Sequence, residues 1–257
     1  MNQTNDEFYR YIQEQLTHIE NKYGIRILHC AESGSRAWGF ASPDSDYDVR
    51  FIYVRPKDHY LQLQTTPDFL EVVRDSLLDI NGWDLDKALK LLHKSNPTLF
   101  EWNNSPIVYK TTKEWGEVRA IINKYFTMRS GLMHYLNTAE GNYREYLRGE
   151  EVKIKKYFYV LRPLLACRYI LDHQSPPPML FQKLVDEYLS GEILDEVNKL
   201  LTRKMSGGEL GVEKRIDPIN KWVDQQILDI EEKVQIYGKD EPKDWDELNA
   251  LFLKLIS

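Results

Sequence analysis

The first hundred residues alternate between helix-like and strand-like hydrophobic patterns. Apolar side chains recur every three or four positions from residue 4 to residue 23, which predicts an amphipathic helix that Gly24 ends. The apolar stretch at 25–33 predicts a buried strand, and residues 46–54 predict a second, because β-branched and aromatic residues alternate there with polar ones. Between them, residues 36–45 are rich in Gly, Ser, Pro and Asp, which indicates a loop.

Farther along the chain the strand-like pattern ends. Residues 69–73 and 76–83 predict a hairpin or a further strand pair, and residues 85–95 predict a helix that Asn96-Pro97 closes. Beyond residue 106, apolar positions recur about every 3.6 residues in nearly every segment. We therefore expect an α+β chain with a boundary between about 105 and 115, dividing an N-terminal domain, 1–110, from a helical C-terminal domain, 111–257.

Composition and charge narrow the class of protein. The 257 residues carry a formal net charge of −6, so contact with nucleic acid requires a local basic patch. Residues 144–168 supply one, with seven basic and three acidic side chains. The sequence contains no signal-like start and no run of about 18 apolar residues, and its two cysteines lack metal-type spacing. We expect a cytoplasmic protein with no membrane span and no zinc site.

Two aspartates are the first candidates for chemistry. In a strand, Asp46 and Asp48 share one face about 6–7 Å apart, where like charges repel unless a cation lies between them. A divalent cation would supply that charge, and the upstream Gly34-Ser35 could hold phosphate oxygens through backbone N–H groups and the hydroxyl. The alternative is an Asx-type turn at residues 44–46, with Asp48 ion-paired to Arg36 or Arg50.

The same residues resemble a known superfamily. Gly34-Ser35, ten intervening residues and then Asp46-Tyr47-Asp48 resemble the signature of DNA polymerase β nucleotidyltransferases. More narrowly, "GSRAWGFASPDSDYDVRFIYV", "DLDKALKLLHKSNPTLFEW" and "KKYFYVLRPLLACRYI" resemble the RNA-repair-pathway nucleotidyltransferase (RlaP-like) family over most of the chain. The resemblance implies a polymerase-β-like mixed sheet with helices, followed by an all-helical domain. It also implies transfer of a nucleotidyl group from an NTP to an acceptor hydroxyl, with Mg²⁺, two ions in all, and release of pyrophosphate.

The resemblance also implies roles for individual residues. Asp46 and Asp48 would bind the metal, and Gly34, Ser35 and Arg36 would contact the triphosphate. A third acid comes from a later strand in such sites. Asp79 is favoured over Asp84, because a lone aspartate inside an apolar run needs a reason whereas Asp84 lies at a helix entrance, where caps are common. The helical domain would lend cations to the triphosphate, and the candidates are Lys155, Lys156 and Arg162.

The sequence leaves several acceptors open. Five tyrosines interleave with the basic residues of the second half and suit stacking on RNA bases, although aromatic residues at helical spacing more often form a core; they are Tyr135, Tyr143, Tyr146, Tyr157 and Tyr159. RNA is the favoured acceptor. The alternatives are a protein or small-molecule hydroxyl and, in another class, an RNA-binding relative without catalysis.

Overall fold

The computed structural model describes residues 3–74, 77–207, 211–238, 240–241 and 243–257. The part of the chain described before residue 85 contains four strands and three helices. The first helix and the first two strands match the predicted segments. In chain order these elements are α1 (Gln3–Tyr23), β1 (Arg26–Glu32), α2 (Gly34–Trp38), β2 (Tyr47–Val54), α3 (Lys57–Tyr60), β3 (Phe69–Arg74) and β4 (Leu78–Asp84).

The remainder is mainly helical. A 3₁₀ turn at Asn123–Tyr125 joins α6 to α7. The elements are α4 (Leu85–His93), α5 (Pro97–Asn103), β5 (Val108–Thr111), α6 (Lys113–Ile122), α7 (Met128–Tyr146), β6 (Glu151–Lys153), α8 (Lys156–His173), α9 (Phe181–Tyr188), α10 (Gly191–Met205), β7 (Val212–Lys214), α11 (Asp217–Ile236) and α12 (Asp246–Leu255).

The main sheet is mixed, as expected. Five strands lie in the order β3-β4-β2-β1-β5. Strand β2 is parallel to β4, and the other neighbouring pairs are antiparallel. The predicted hairpin is therefore confirmed as β3–β4, and the parallel pairing places the first residues of β2 and β4 side by side.

Both faces of this sheet are covered over most of their area. Val49 and Phe51 of β2 pack with apolar residues of α1 on one face, while Ile52 packs with α4, α5, α6 and α12 on the other. The predicted alternation along β2 is thus confirmed. At the start of β2 and β4 the second face carries polar side chains, because the covering helices lie over the other end of these strands.

A separate core joins the helices of the second half. Helices α7, α8, α9, α10 and α11 contribute to it, and Phe40, from the segment after α2, inserts into the same cluster. The sheet's core meanwhile draws on α6 and α12, which lie beyond residue 110. The division into domains 1–110 and 111–257 stays a prediction. Within the described residues, no helix combines the length and the apolar character that a membrane span requires.

Three short segments differ from the predictions. The second half is not all-helical, because β6 and β7 pair as an antiparallel ribbon of three-residue strands. The predicted loop 36–45 begins inside the five-residue helix α2. Helix α4 ends before Asn96-Pro97 but two residues earlier than predicted, at His93, and Asn96 also caps the start of α5 with its side chain. Elements this short complete too few turns or alternations to leave a periodic signal.

Candidate active site

Strand pairing places Asp48 beside Asp79. The parallel register of β2 and β4 makes these two residues direct partners, so their side chains emerge from the same face of the sheet. Asp84, the other candidate for the third acid, is buried and caps α4 by accepting from the N–H of Asp86. Its carboxylate also accepts from Arg55 and Tyr60. The structure thus places Asp79, and not Asp84, next to the predicted metal ligand.

Arg50 bridges the two aspartates. Its Nη2 donates to Asp48 Oδ1 at 2.8 Å and to Asp79 Oδ2 at 2.9 Å. Burial raises the pKa of Asp48, Arg50 opposes that shift, and the charges of Asp46 and Asp79 add to it. The Asp48–Arg50 ion pair of the turn alternative is therefore present, and so is the predicted crowding of negative charge. We call Asp48, Arg50 and Asp79 the acidic strand face.

Gly34 fits against Asp48 because it has no side chain. Its φ is +59°, and a Cβ at this position would lie 2.0 Å from Asp48 Oδ2. The preceding Ser33 donates its N–H to the Asp48 carbonyl at 2.8 Å, which fixes the start of α2 against β2. A glycine is required here both for the left-handed backbone and for the close approach. Ser35 follows in the first turn of α2 and is half-buried.

Arg36 anchors the segment that carries Asp46. Its Nε donates to the Asp46 carbonyl at 3.1 Å, and its Nη2 donates to the Ser45 carbonyl at 2.6 Å. The guanidinium also lies over the Tyr47 ring, 3.6 Å from the centroid. Asp46 itself is exposed just before β2 and is near enough to raise the pKa of Asp48. Contact between Arg36 and the triphosphate stays a prediction.

Lys204 belongs to this region and was missed from the sequence. It comes from α10, is 9% exposed, and its Nζ donates to Ser42 Oγ at 2.6 Å and to Ser45 Oγ at 3.3 Å. Burial and the nearby Lys155 lower the pKa of its ammonium group, whereas Asp44 and Asp46 raise it. As one of several lysines on an amphipathic helix far along the chain, Lys204 gives no local signal that could reveal this position.

Glu32 was also missed. This last residue of β1 is fully buried, and its Oε1 accepts the N–H of Asp48 at 2.7 Å while Oε2 accepts the Tyr109 hydroxyl. Burial raises the pKa of the Glu32 carboxyl to about 7, against the effect of these hydrogen bonds. Glu32 thus fixes the backbone of Asp48 by accepting its N–H. A charged residue ending a buried strand is the only sequence signal for it.

The start of α8 contributes two lysines. Lys155 is exposed at the start of α8, near Lys204 and Asp44. The Nζ of Lys156 lies 4.1 Å from the Tyr146 ring centroid and 4.9 Å from that of Tyr159. We call Lys155, Lys156 and Lys204 the basic helix face.

Arg162 differs from these lysines. It is 3% exposed, its Nη1 pairs with Glu101 Oε1 at 2.8 Å, and its guanidinium lies 4.6 Å from the Trp38 ring centroid. The structure therefore places its charge against Glu101 in the interior, between α8, α5 and α2. Contact of Arg162 with a nucleotide stays a prediction.

Two of the five tyrosines lie beside Lys156, next to the cleft, which is our name for the space between the acidic strand face and the basic helix face. Tyr135, Tyr143 and Tyr157 are buried in the helical core, so these three serve packing. Tyr146 and Tyr159 are half-buried beside Lys156. The charges of Asp48 and Asp46 contribute, after burial, to raising the pKa of Tyr159, which places its ring near both acids.

The oxygen donors of the acidic strand face fit Mg²⁺ in type. Mg²⁺ is commonly held by one or two carboxylates together with water and substrate phosphates. Gly34 approaches Asp48 Oδ2 closely, and Arg50 is bonded to Oδ1. Among residues 3–257, apart from those the structure leaves undescribed, no three His, Cys, Asp or Glu side chains group closely enough to hold one ion. Two carboxylates completed by substrate fit; three acids around one ion, and a second ion, stay predictions.

Comparison with known proteins agrees with this arrangement. The chain is 46% identical over 249 residues to a Bacillus subtilis (strain 168) protein described as the uncharacterized protein YcgL, and the match covers 95% of each chain. The model of the RNA repair pathway DNA polymerase beta family (RlaP) matches residues 9–254. Since that match spans nearly the whole chain, including the acidic strand face and the basic helix face, the protein belongs to the RNA repair pathway DNA polymerase beta family.

Proposed function

We propose that this protein is a Mg²⁺-dependent nucleotidyltransferase that moves an NMP from an NTP to a hydroxyl of RNA. The observation that carries the proposal is the pairing of β2 with β4, which places Asp48 beside Asp79 with Gly34 directly in front of Asp48. Such carboxylates at the start of neighbouring strands, in a chain of this family, suit a metal-assisted phosphoryl displacement.

The nucleotide would bind between α2 and the basic helix face. The N–H groups at Gly34 and Ser35 and the Ser35 hydroxyl are suited to phosphate oxygens. Lys155 and Lys156 would neutralise charge on the departing pyrophosphate. Arg36 and Lys204 hold the 42–46 segment, and through it they position Asp46. When bound, Mg²⁺ would supply the positive charge that stabilises the phosphate oxygens during transfer.

Asp79 would serve the acceptor. In the transfer, an acceptor oxygen bonds to the α-phosphorus, the α–β phosphoanhydride bond breaks, and pyrophosphate leaves. Asp79 is 30% exposed at its side chain and would take the hydroxyl proton. Arg50 pairs with both acids and would hold them together until substrate arrives.

RNA is the favoured acceptor for two reasons. The family is described by an RNA repair pathway, and Tyr146, Tyr159 and the adjacent lysines provide rings and cations at the cleft. A cytoplasmic location accords with two buried free cysteines. Protein and small-molecule hydroxyls are the competing acceptors.

The test is incubation with α-labelled NTP, Mg²⁺ and each class of acceptor. We expect label on RNA, and Asp48→Asn should lower turnover at least about a thousandfold because it removes a charged ligand of the metal and phosphate. Asp58→Asn, at an exposed position on α3, is the matched control and should keep full activity. Unchanged turnover in Asp48→Asn would refute the metal-ligand role, and label on protein alone would refute the RNA acceptor.

One observation favours a second candidate. Because Arg50 already forms ion pairs with both Asp48 and Asp79, the same geometry suits an RNA-binding relative without turnover. That candidate predicts RNA binding by the wild-type protein, unaffected by Mg²⁺, with no NTP consumption under any condition.

A further inference from the structure

A cavity of about 450 Å³ opens beside Asp79. It lies over the β3–β4 end of the sheet, and helix α4 borders it through Lys87. Its lining consists of Phe69, Glu71, Asp79, Asn81, Gly82, Trp83 and Lys87. Since Asp79 belongs both to this cavity and to the acidic strand face, a molecule bound in the cavity lies next to the reaction centre.

The basic helix face and the cavity beside Asp79 differ in charge. The basic helix face lies on the side of α8 and α10, where a triphosphate is attracted. In the cavity, the basic residue among the described lining is Lys87, which is paired with Asp68 at 2.9 Å. Glu71 and Asp79 bring carboxylates to the lining. Negative charge here disfavours a triphosphate group, so the cavity suits the uncharged base and ribose of the second reactant in preference to the NTP.

The lining has the groups that bind a nucleoside. The Phe69 ring is 49% exposed on the edge strand, with Lys87 Nζ 5.1 Å from its centroid. Trp83 lies opposite it in the β3–β4 register, and the Trp83 ring centroid is 4.0 Å from that of Trp102. Aromatic faces of this kind stack on bases. Asn81 offers amide donors and an acceptor between the rings and Asp79, and its Nδ2 is 3.4 Å from Asp79 Oδ1.

The spacing of the lining residues also fits one nucleoside. Trp83 and Asp79 are four residues apart on β4, a distance of about 13 Å at the rise of a strand. A base stacked at Phe69 and Trp83 therefore extends its ribose toward Asp79. We infer that this cavity binds the terminal nucleoside of the acceptor RNA, with its base on Phe69, its polar edge at Asn81 and its reacting hydroxyl at Asp79. This inference rests on the proposed nucleotidyl transfer.

The experiment measures acceptor and nucleotide binding separately. The acceptor probe is an internally labelled single-stranded RNA hexamer with free hydroxyls at both ends, followed by fluorescence anisotropy. The nucleotide probe is a fluorescent non-hydrolysable ATP analogue with Mg²⁺. We expect Phe69→Ala and Asn81→Ala to weaken hexamer binding about tenfold each, because stacking and base-edge hydrogen bonds are lost. Binding of the ATP analogue should stay unchanged.

Two further variants make the result specific. Phe69→Leu keeps apolar area but removes the aromatic face, so it should weaken binding nearly as much as Phe69→Ala. Leu63→Ala removes a fully exposed apolar side chain outside the cavity and should leave both affinities as in the wild type. Circular dichroism and melting temperature of each variant establish that the fold is intact, as expected for a half-exposed edge residue.

Several outcomes would overturn the inference. Wild-type affinity for the hexamer in Phe69→Ala and Asn81→Ala would refute it, and so would equal losses for the hexamer and the ATP analogue. Transfer to a protein or a polyol that depends on Phe69, without RNA binding, would refute the nucleoside assignment. The proposed function fails separately: Phe69-dependent hexamer binding with no NTP consumption would refute transfer while supporting the cavity.

Discussion

The acidic strand face and the basic helix face are built in different ways. Asp48 and Asp79 are aligned by backbone hydrogen bonds of adjacent strands, and Glu32 and Gly34 pack directly against Asp48. Lys155, Lys156 and Lys204 come from two helices whose core is separate from the sheet. The comparison indicates that the acids are held rigidly, whereas the cations depend on how the helices pack against the sheet.

The Arg162–Glu101 pair is the sharpest test of that packing. Arg162→Met should lower the free energy of unfolding by about 3 kcal/mol, because the largely buried Glu101 carboxylate loses its ion-pair partner and keeps the Tyr135 hydroxyl as a donor. Urea unfolding followed by circular dichroism measures the change. Arg203→Met, which breaks an exposed pair with Glu213, is the control and should cost less than about 1 kcal/mol. Equal costs would contradict an interior role for Arg162.

The pH dependence of stability tests the burial of Glu32, which holds the backbone of Asp48 in the acidic strand face. Glu32 has a folded-state pKa of about 7, above its unfolded value of 4.5, so the folded chain binds the proton more tightly. Stability should therefore decrease as pH rises from about 4.5 to 7, by up to about 3 kcal/mol. The glutamine of Glu32→Gln cannot titrate. In metal-free buffer, the unfolding free energy of this variant should therefore rise relative to that of the wild type as pH increases over this range. Parallel pH profiles would contradict this.

Two glycines separate backbone strain from contact with Asp48. Gly24 and Gly34 have φ values of +60° and +59°, but no heavy atom lies within 4 Å of a Cβ at Gly24. Gly24→Ala should cost about 1 kcal/mol from strain alone. Gly34→Ala should cost about 2 kcal/mol, because Asp48 must also move, and it should abolish the rise in melting temperature on adding Mg²⁺ and NTP. Calorimetry measures both, and identical behaviour would contradict a role for Gly34 beside Asp48.

Arg50 gives the smallest expected change in stability. Arg50→Met should lower the unfolding free energy of the metal-free protein by about 1 kcal/mol, because the pair is partly exposed and Asp48 and Asp79 then repel each other. The melting temperature should rise more on adding Mg²⁺ than in the wild type, since the ion replaces the missing positive charge. A smaller rise than in the wild type would indicate that Arg50 does not occupy the place of a cation.

Strand periodicity carried much of the local information in this sequence. The alternation of residues 47–54 predicts β2 and the shared face of Asp48 and Arg50, because side chains in a strand alternate by geometry alone. Asp79 is a lone aspartate in the apolar run 76–80. Because a buried carboxylate needs a partner, its position predicts that Asp79 belongs to a site. The Gly34-Ser35 and Asp46-x-Asp48 spacing, read as a resemblance, predicts the family that the full-length match establishes.

Only the tertiary structure decides which side chains meet across long separations. Lys204 reaches Ser42 from more than 150 positions away, and Arg162 turns inward to Glu101, although both look like ordinary cations on amphipathic helices. Helix periodicity fixes which face a side chain occupies but not which element packs against that face. The sequence determined the strand that carries the acids. The tertiary structure determined that Lys204 of α10 contacts the segment before β2, near Asp44 and Asp46, because such contacts depend on the arrangement of whole elements in space.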